Sequence, residues 1–354
     1  MQPITPKQLA LLEKLCNACA VSGDEGEVRK IVLEEVEPYA DEVKVDALGN
    51  VLVTKRDNSI PVGDGKNRLR LMLAAHMDEV GFILVSDEGE GLYGFQTVGS
   101  IDPRHLLGKP VWVGKEHFPG VIGTKPVHLD NEEDLKRKPA LESLRIDLGP
   151  NGKAKPGDWA TFATRFKRVG PSIMAKAIDD RIGVATLIEL VKHAPSHLDL
   201  LAAFTAQEEV GLRGAQVAAY TFNPDLAIAI DSTAAYDMPK HDGSESHFYN
   251  TKLGFGPAIY IYNAATIDDP RLVRFLQETA EAEGIPYQIR QPGGGETDAG
   301  AIQRTRVGVP VVSVSVSHRY THSPISISRV ADWKHTLTLL HTVLQRITPN
   351  LIQS

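Results

Sequence analysis

Short apolar runs alternate with helical stripes along most of this chain. Leu69–His76 (LRLMLAAH) is nearly continuous in its apolar character, as in a strand covered on both faces of a parallel sheet. The runs Leu200–Glu209, closed by two carboxylates, Leu226–Asp231 and Val309–Val316 predict three more such strands. Between them, apolar residues recur at helical spacing. Leu9, Leu12, Leu15, Cys16 and Cys19 form one stripe, opened by Thr5 as N-cap with Pro6 at the first helical position. Ser22-Gly23-Asp24-Glu25 resembles a capping box ahead of Val28, Ile31, Val32 and Val36. Further helices are predicted over Ile182–His193, Gly214–Tyr220, Asp269–Glu283 and from about Arg329 to Ile347. Glu42–Lys55 reads as two short strands around Gly49-Asn50.

From about Gly81 to Ala163 the rhythm changes. Val80–Val85, Tyr93–Val98, Val111–Val113, Val121–Gly123, Leu144–Leu148 and Trp159–Ala163 are separated by Gly, Pro and Asp turns, with almost no helical periodicity. This stretch predicts a small β-barrel or sandwich inserted into an α/β domain. The expected organisation is an α/β domain from residues 1–79 and 164–354, with a β-rich insertion at 80–163. Within the insertion, Glu132–Lys138 reads as a solvated loop.

A chain of 354 residues exceeds one typical core of ~100–200 residues, which agrees with two units. The net charge of −7 argues against a nucleic-acid or anionic-membrane surface. No apolar run approaches the ~18 residues of a membrane span, and the N-terminus lacks the pattern of a signal peptide. Cys16 and Cys19 are the only cysteines, so a disulfide framework is excluded and a cytoplasmic location is expected. Their C-x-x-C spacing, inside a helical stripe and without a second pair, reads as helix packing.

Chemistry gathers at the strand ends. His76 and Asp78, Glu208 and Glu209, Asp231, and His322 each follow an apolar strand, and Asp179 opens a helix just after the insertion. In an open α/β sheet such ends line one crevice. Burying the Glu208-Glu209 pair costs several kcal/mol unless a cation meets it, and no Lys or Arg follows until Arg213. Two imidazoles with several carboxylates suit zinc, cobalt or manganese better than magnesium. Two such ions ~3.5–4 Å apart activate water and polarise a carbonyl, and a spare Glu can carry the proton. His76 and Asp78, two apart on a strand, point to one side, so Asp78 can orient the imidazole.

Five segments in order (His76-Met77-Asp78-Glu79-Val80-Gly81, Ala177-Ile178-Asp179-Asp180-Arg181, Glu208 to Ala215, Ala229-Ile230-Asp231 and Arg319 to Pro324) resemble the M42 family of dinuclear metallo-aminopeptidases. This is the glutamyl aminopeptidase and TET group, some members of which carry an endoglucanase label. The resemblance spans nearly the whole chain. It implies a zinc-exopeptidase-like mixed sheet with a PDZ-like or barrel-like insertion used in dimerisation, often within a tetrahedral dodecamer. It also implies two divalent ions bridged by Asp179, one held by His76 and Asp231 and the other by Glu209 and His322. Glu208 would be the general base, and Asp78 the partner of His76. The substrates would be peptides with a free N-terminus. A similar Gly-Thr-Asp loop, here Gly293–Gly300, is placed near the site.

Other readings compete. The same metals serve an N-acyl amino acid deacylase, which comparison of free-amine and N-acetylated peptides distinguishes. Glycoside hydrolysis needs two carboxylates flanking one bond, whereas neighbours on a strand point apart. A non-catalytic assembly protein conflicts with the full ligand set. Singly, His76 and His322 read as structural histidines, Asp179 as a helix cap, and Glu208-Glu209 as a solvated strand end. None of these accounts for their collection at strand ends. The remaining histidines, His117, His247 and His318 among them, are read as surface or packing residues.

Overall fold

The computed structural model describes residues 3–56, 68–129, 138–244, 250–291 and 294–352. Helices Pro6–Asn17 (α1) and Gly26–Val36 (α2) lead to strands Glu42–Val45 (β1), Val51–Lys55 (β2) and Leu69–His76 (β3). The insertion supplies Gly81–Asp87 (β4), Leu92–Val98 (β5), Pro110–Val113 (β6), Phe118–Gly123 (β7), Arg145–Asp147 (β8) and Trp159–Phe162 (β9). The chain returns through Lys167–Val169 (β10) and Ser172–Ala175 (β11) to Ile178–Lys192 (α3), Leu198–Thr205 (β12), Arg213–Phe222 (α4) and Leu226–Ala234 (β13). Ala258–Ile259 (β14), Pro270–Ala282 (α5), Gln288–Ile289 (β15), Ala299–Gln303 (α6), Val311–Arg319 (β16), Ser326–Arg329 (β17) and Val330–Arg346 (α7) complete it. Glu132 to Arg137, His247 and Gly293 lie outside the described residues.

Local chemistry explains several of these boundaries. Thr5 caps α1 in a reciprocal box with Gln8, and Pro6 takes the first helical position. The expected box before α2 does not form. Glu25 holds the cap position without a side-chain bond, because the Ser22 hydroxyl donates instead to Asp78 Oδ2 at 2.5 Å. Helix α1 stops at Asn17, so Cys16 packs in the core while Cys19 lies beyond the helix end.

Among the described residues the main sheet runs β1-β2-β12-β3-β13-β16-β17-β11-β10, with β14 and β15 off that path. Its centre, β12-β3-β13-β16, is parallel. These four strands are almost wholly buried because helices cover both faces. One apolar layer joins α1, α2, α3, α5 and α7 to the sheet; the other joins α4 and α6. Register brings the chemistry together. Thr205 lies opposite His76, and Ala229 opposite Ala74, so β3, β12 and β13 end on one edge.

The six insertion strands close into a barrel in the order β4-β5-β8-β7-β6-β9. Phe82 fills it, edge-to-face with Phe95 at 5.2 Å and Phe162 at 5.1 Å. Its first and last strands are neighbours, with Phe82 opposite Ala160. At the junction, Gly81 lies so close to Val21 and the Ala160 carbonyl that a Cβ would clash. Beneath it, buried Glu79 accepts from Lys176 Nζ (2.6 and 2.9 Å), Arg181 Nη2 (3.0 Å) and Thr161 Oγ1 (2.9 Å).

Candidate functional site

The strand edge opens into a cavity of about 320 Å³ lined by His76, Asp179, Glu208, Glu209, Asp231 and His322, among others. His76 ends β3, nearly fully buried. Its Nε2 lies 3.2 Å from Asp179 Oδ1 and 3.7 Å from Asp231 Oδ1. On the other side of Asp179, Oδ2 lies 3.7 Å from His322 Nε2, which is 3.1 Å from Glu209 Oε2. Asp179 therefore belongs to two triads, His76-Asp179-Asp231 and Asp179-Glu209-His322. Within each, one ligand atom per residue lies within 4.8 Å of the others.

Asp179 is free for this position because its neighbour does the capping. The first residues of α3 are non-helical, the Asp179–Asp180 peptide is cis, and Asp180 Oδ1 accepts from the Gly183 N–H at 3.0 Å. The alternative reading of Asp179 as a plain helix cap therefore gives way to Asp180.

The Glu208-Glu209 pair also differs from expectation. Strand β12 stops at Thr205, and Gln207 adopts a left-handed φ of 58°, so the two glutamates occupy a turn. Their separation is set by backbone anchoring rather than strand alternation. Asp78 Oδ1 accepts from Glu208 N–H at 3.0 Å and Oδ2 from Glu209 N–H at 3.1 Å. Asp78 itself lies beyond the end of β3, with Oδ1 3.5 Å from His76 Nδ1. One fully buried carboxylate thus anchors the backbone of both glutamates and lies beside the His76 imidazole.

The site is short of positive charge. Burial raises the carboxyls of Glu208 and Glu209, against the opposing pull of His76 and His322 respectively. Burial likewise pushes Asp231 up to about 7. Burial would also neutralise the imidazoles, but the carboxylates overcome it, holding His76 well above its usual value and His322 up to about 9. A pocket that captures protons this strongly suits divalent cations, whose binding displaces protons. The donor set of imidazole and carboxylate, with two three-residue groups sharing Asp179, fits a pair of such ions.

One neighbour of the site carried no signal in the sequence. His318 is fully buried, its Nε2 2.6 Å from Thr321 Oγ1, 3.2 Å from Ser232 Oγ and 4.0 Å from Asp179 Oδ2. Burial pushes it down to about 4, so its ring is neutral at physiological pH. It sits on β16, which runs three residues past the predicted end, and only that extension marks it. Asp298, buried, accepts from Thr205 Oγ1 at 2.6 Å, and Thr297 bonds Ser313 at 2.8 Å. This part of the glycine-rich segment is tied into the core, and Gly294, Gly295 and Glu296 line the cavity.

Among the described residues no helix is long and apolar enough to cross a membrane. Residues 49–339 match the family model for M42 glutamyl aminopeptidase. The lysyl aminopeptidase of Pyrococcus furiosus is 30% identical over 96% of this chain and 97% of its own. The solved TET aminopeptidase of a marine-sediment member of the Thaumarchaeota superposes with a TM-score of 0.90 at 33% identity, covering 98% and 99% of the two chains. The TET1 peptidase of Pyrococcus horikoshii, described as assembling into a tetrahedron or a large octahedral shell, gives 0.82 at 32% identity over 96% and 100%. With the strand-end site and the barrel insertion in place, a match of this extent makes the chain a peptidase of the M42 glutamyl aminopeptidase family.

Proposed function

We propose that this peptidase removes the N-terminal residue of peptides, using two divalent cations and Glu208 as general base. The carrying observation is Asp179, whose two oxygens face opposite histidines, Oδ1 toward His76 and Oδ2 toward His322. His76 and Asp231 would hold one ion, Glu209 and His322 the other, with Asp179 between them. Zinc and cobalt suit these ligands best, and manganese also fits. When bound, such ions polarise a carbonyl and lower the pKa of water.

The chain's own groups do the rest. Glu208 lines the cavity and is left out of both triads. Its burial-raised carboxyl suits a group that takes a proton from water and passes it to the leaving amine. Asp78 fixes His76 and the glutamate turn together, so imidazole and base keep their relative positions. The surplus of carboxylates favours a substrate with a free, protonated amine, which supports an aminopeptidase over a deacylase.

The barrel of residues 80–163 would serve dimerisation, and a tetrahedral dodecamer is the assembly we infer from the TET relatives. The test of function is chelation followed by reloading with zinc, cobalt or manganese, assayed on free-amine and N-acetylated peptides. Activity should vanish, return with metal, and be confined to the free amine. Equal hydrolysis of the acetylated peptides would make the enzyme a deacylase.

A further inference from the structure

A second cluster of mixed donors lies where the barrel meets α2. Cys19 sits just past the end of α1, Glu27 in the first turn of α2, and His117 in the turn between β6 and β7. Glu27 Oε2 accepts from the Cys19 N–H at 2.9 Å, and Oε1 lies 2.5 Å from His117 Nε2. The thiol sulfur, a ring nitrogen and a carboxylate oxygen all lie within 4.8 Å of one another. All three residues are half-buried. Cys19 and Glu27 border a cavity of about 310 Å³, walled by Trp112 and Trp159, so an ion has a route in.

The donor types select the ligand. Sulfur, imidazole and one carboxylate are the ligands of zinc, whereas calcium and magnesium require oxygen. Three protein donors leave a fourth tetrahedral position for water. A metal-free nucleophilic cysteine fits less well, since burial pushes the Cys19 thiol up to about 12; a coordinated thiol is deprotonated by its metal.

We propose that Cys19, Glu27 and His117 bind a further zinc-type cation that clips the barrel to the catalytic domain. The span between Cys19 and Glu27 carries Ser22, which donates to Asp78, and Glu25, which accepts from the Gln207 N–H at 3.2 Å. The clip therefore holds the same loop that supports Asp78 and the glutamate turn.

Cobalt(II) reports on this site independently of the catalytic pair. The candidate catalytic ligands include no cysteine, and Cys16, the chain's other thiol, is sealed in the core. Chelated full-length protein is titrated with cobalt, following near-ultraviolet thiolate-to-cobalt absorption and bound metal per chain. The wild type should develop the band and lose it on adding zinc. Cys19→Ala should abolish it and bind one cation fewer, and His117→Ala should weaken it. His76→Ala and His322→Ala should retain it, so failure of the catalytic reading leaves this result standing. Circular dichroism verifies that each variant is folded. If His117→Ala does not fold, Glu27→Gln is read in its place. A wild type with no thiolate band at saturating cobalt overturns the proposal, as does a band that persists in Cys19→Ala.

Discussion

Asp78 and Glu79 are consecutive, yet they open onto two buried clusters of opposite electrostatic character. Glu79 is neutralised from within the chain by Lys176 and Arg181 and accepts a further bond from Thr161. Burial would raise its carboxyl, but the two cations hold it below the usual range. Behind Asp78 lie Glu208, Glu209, Asp179 and Asp231; among the described residues the ion-pair partners of Asp179, Asp231 and Glu209 are imidazoles, and all four carboxyls but Asp179 are raised. The fold places two buried cations where a carboxylate is structural, whereas Arg290, which lines the cavity, bonds Thr233 and Gly294 and forms no ion pair with the cavity's carboxylates among the described residues. A buried carboxylate left without Lys or Arg beside one that has both marks where external positive charge is expected.

Removing the base should separate the clusters most sharply. Glu208→Gln is expected to lower kcat/KM on aminoacyl-anilides ~10²–10⁴-fold while thermal stability and bound metal are kept; activity within a few-fold of wild type would sink its assignment. On the other side, Glu79→Ala leaves Lys176 and Arg181 buried without their carboxylate. A loss of ~3–5 kcal/mol is expected in denaturant unfolding, and a change below about 1 kcal/mol would mean the network is not what holds the junction.

The two clusters should also respond to pH in opposite senses. Glu79, held low, contributes stability that is present above its unfolded value of 4.5 and lost as pH falls through its folded value. In chelated protein Asp231 binds its proton more tightly folded than unfolded, so its contribution falls as pH rises from 3.8 to about 7. The contribution of His322 is present below 6.5 and lost as pH rises through about 9. Melting temperatures of chelated protein should therefore decline from mildly acid to alkaline pH, and metal should flatten that decline. A chelated protein that melts higher at alkaline than at mildly acid pH would contradict the comparison. The smallest effect expected is at the boundary residue itself. Asp78→Asn should weaken metal affinity ~10–100-fold, read by competition with a chromophoric chelator, and an unchanged affinity would remove Asp78 from the orientation of His76.

Much of this was legible in the sequence. The parallel core strands are visible as unbroken apolar runs, the barrel as a loss of helical period, and the candidate site as polar residues closing strands. The turn geometry was not. Alternation along a strand cannot foresee that β12 ends at Thr205, or that Asp78 takes the backbone N–H groups of both glutamates. Nor does spacing tell Asp179 from Asp180, since what separates them is a bond to Gly183. Ser22 reads as a cap because the sequence does not reveal that Asp78, just past the end of β3, comes to meet it. Cys19 and His117 come together only once the barrel is docked, and neither carries a local pattern that announces the other.

The pairing of β4 with β9 gives the barrel the character of a cassette. The chain leaves the parent fold and re-enters it through two adjacent antiparallel strands, with Phe82 opposite Ala160. Closely spaced ends are what allow one domain to be inserted within another. The parent fold therefore needs no more than a tight turn at that point. Such a cassette can be exchanged while the strand ends that carry the carboxylates stay where they are.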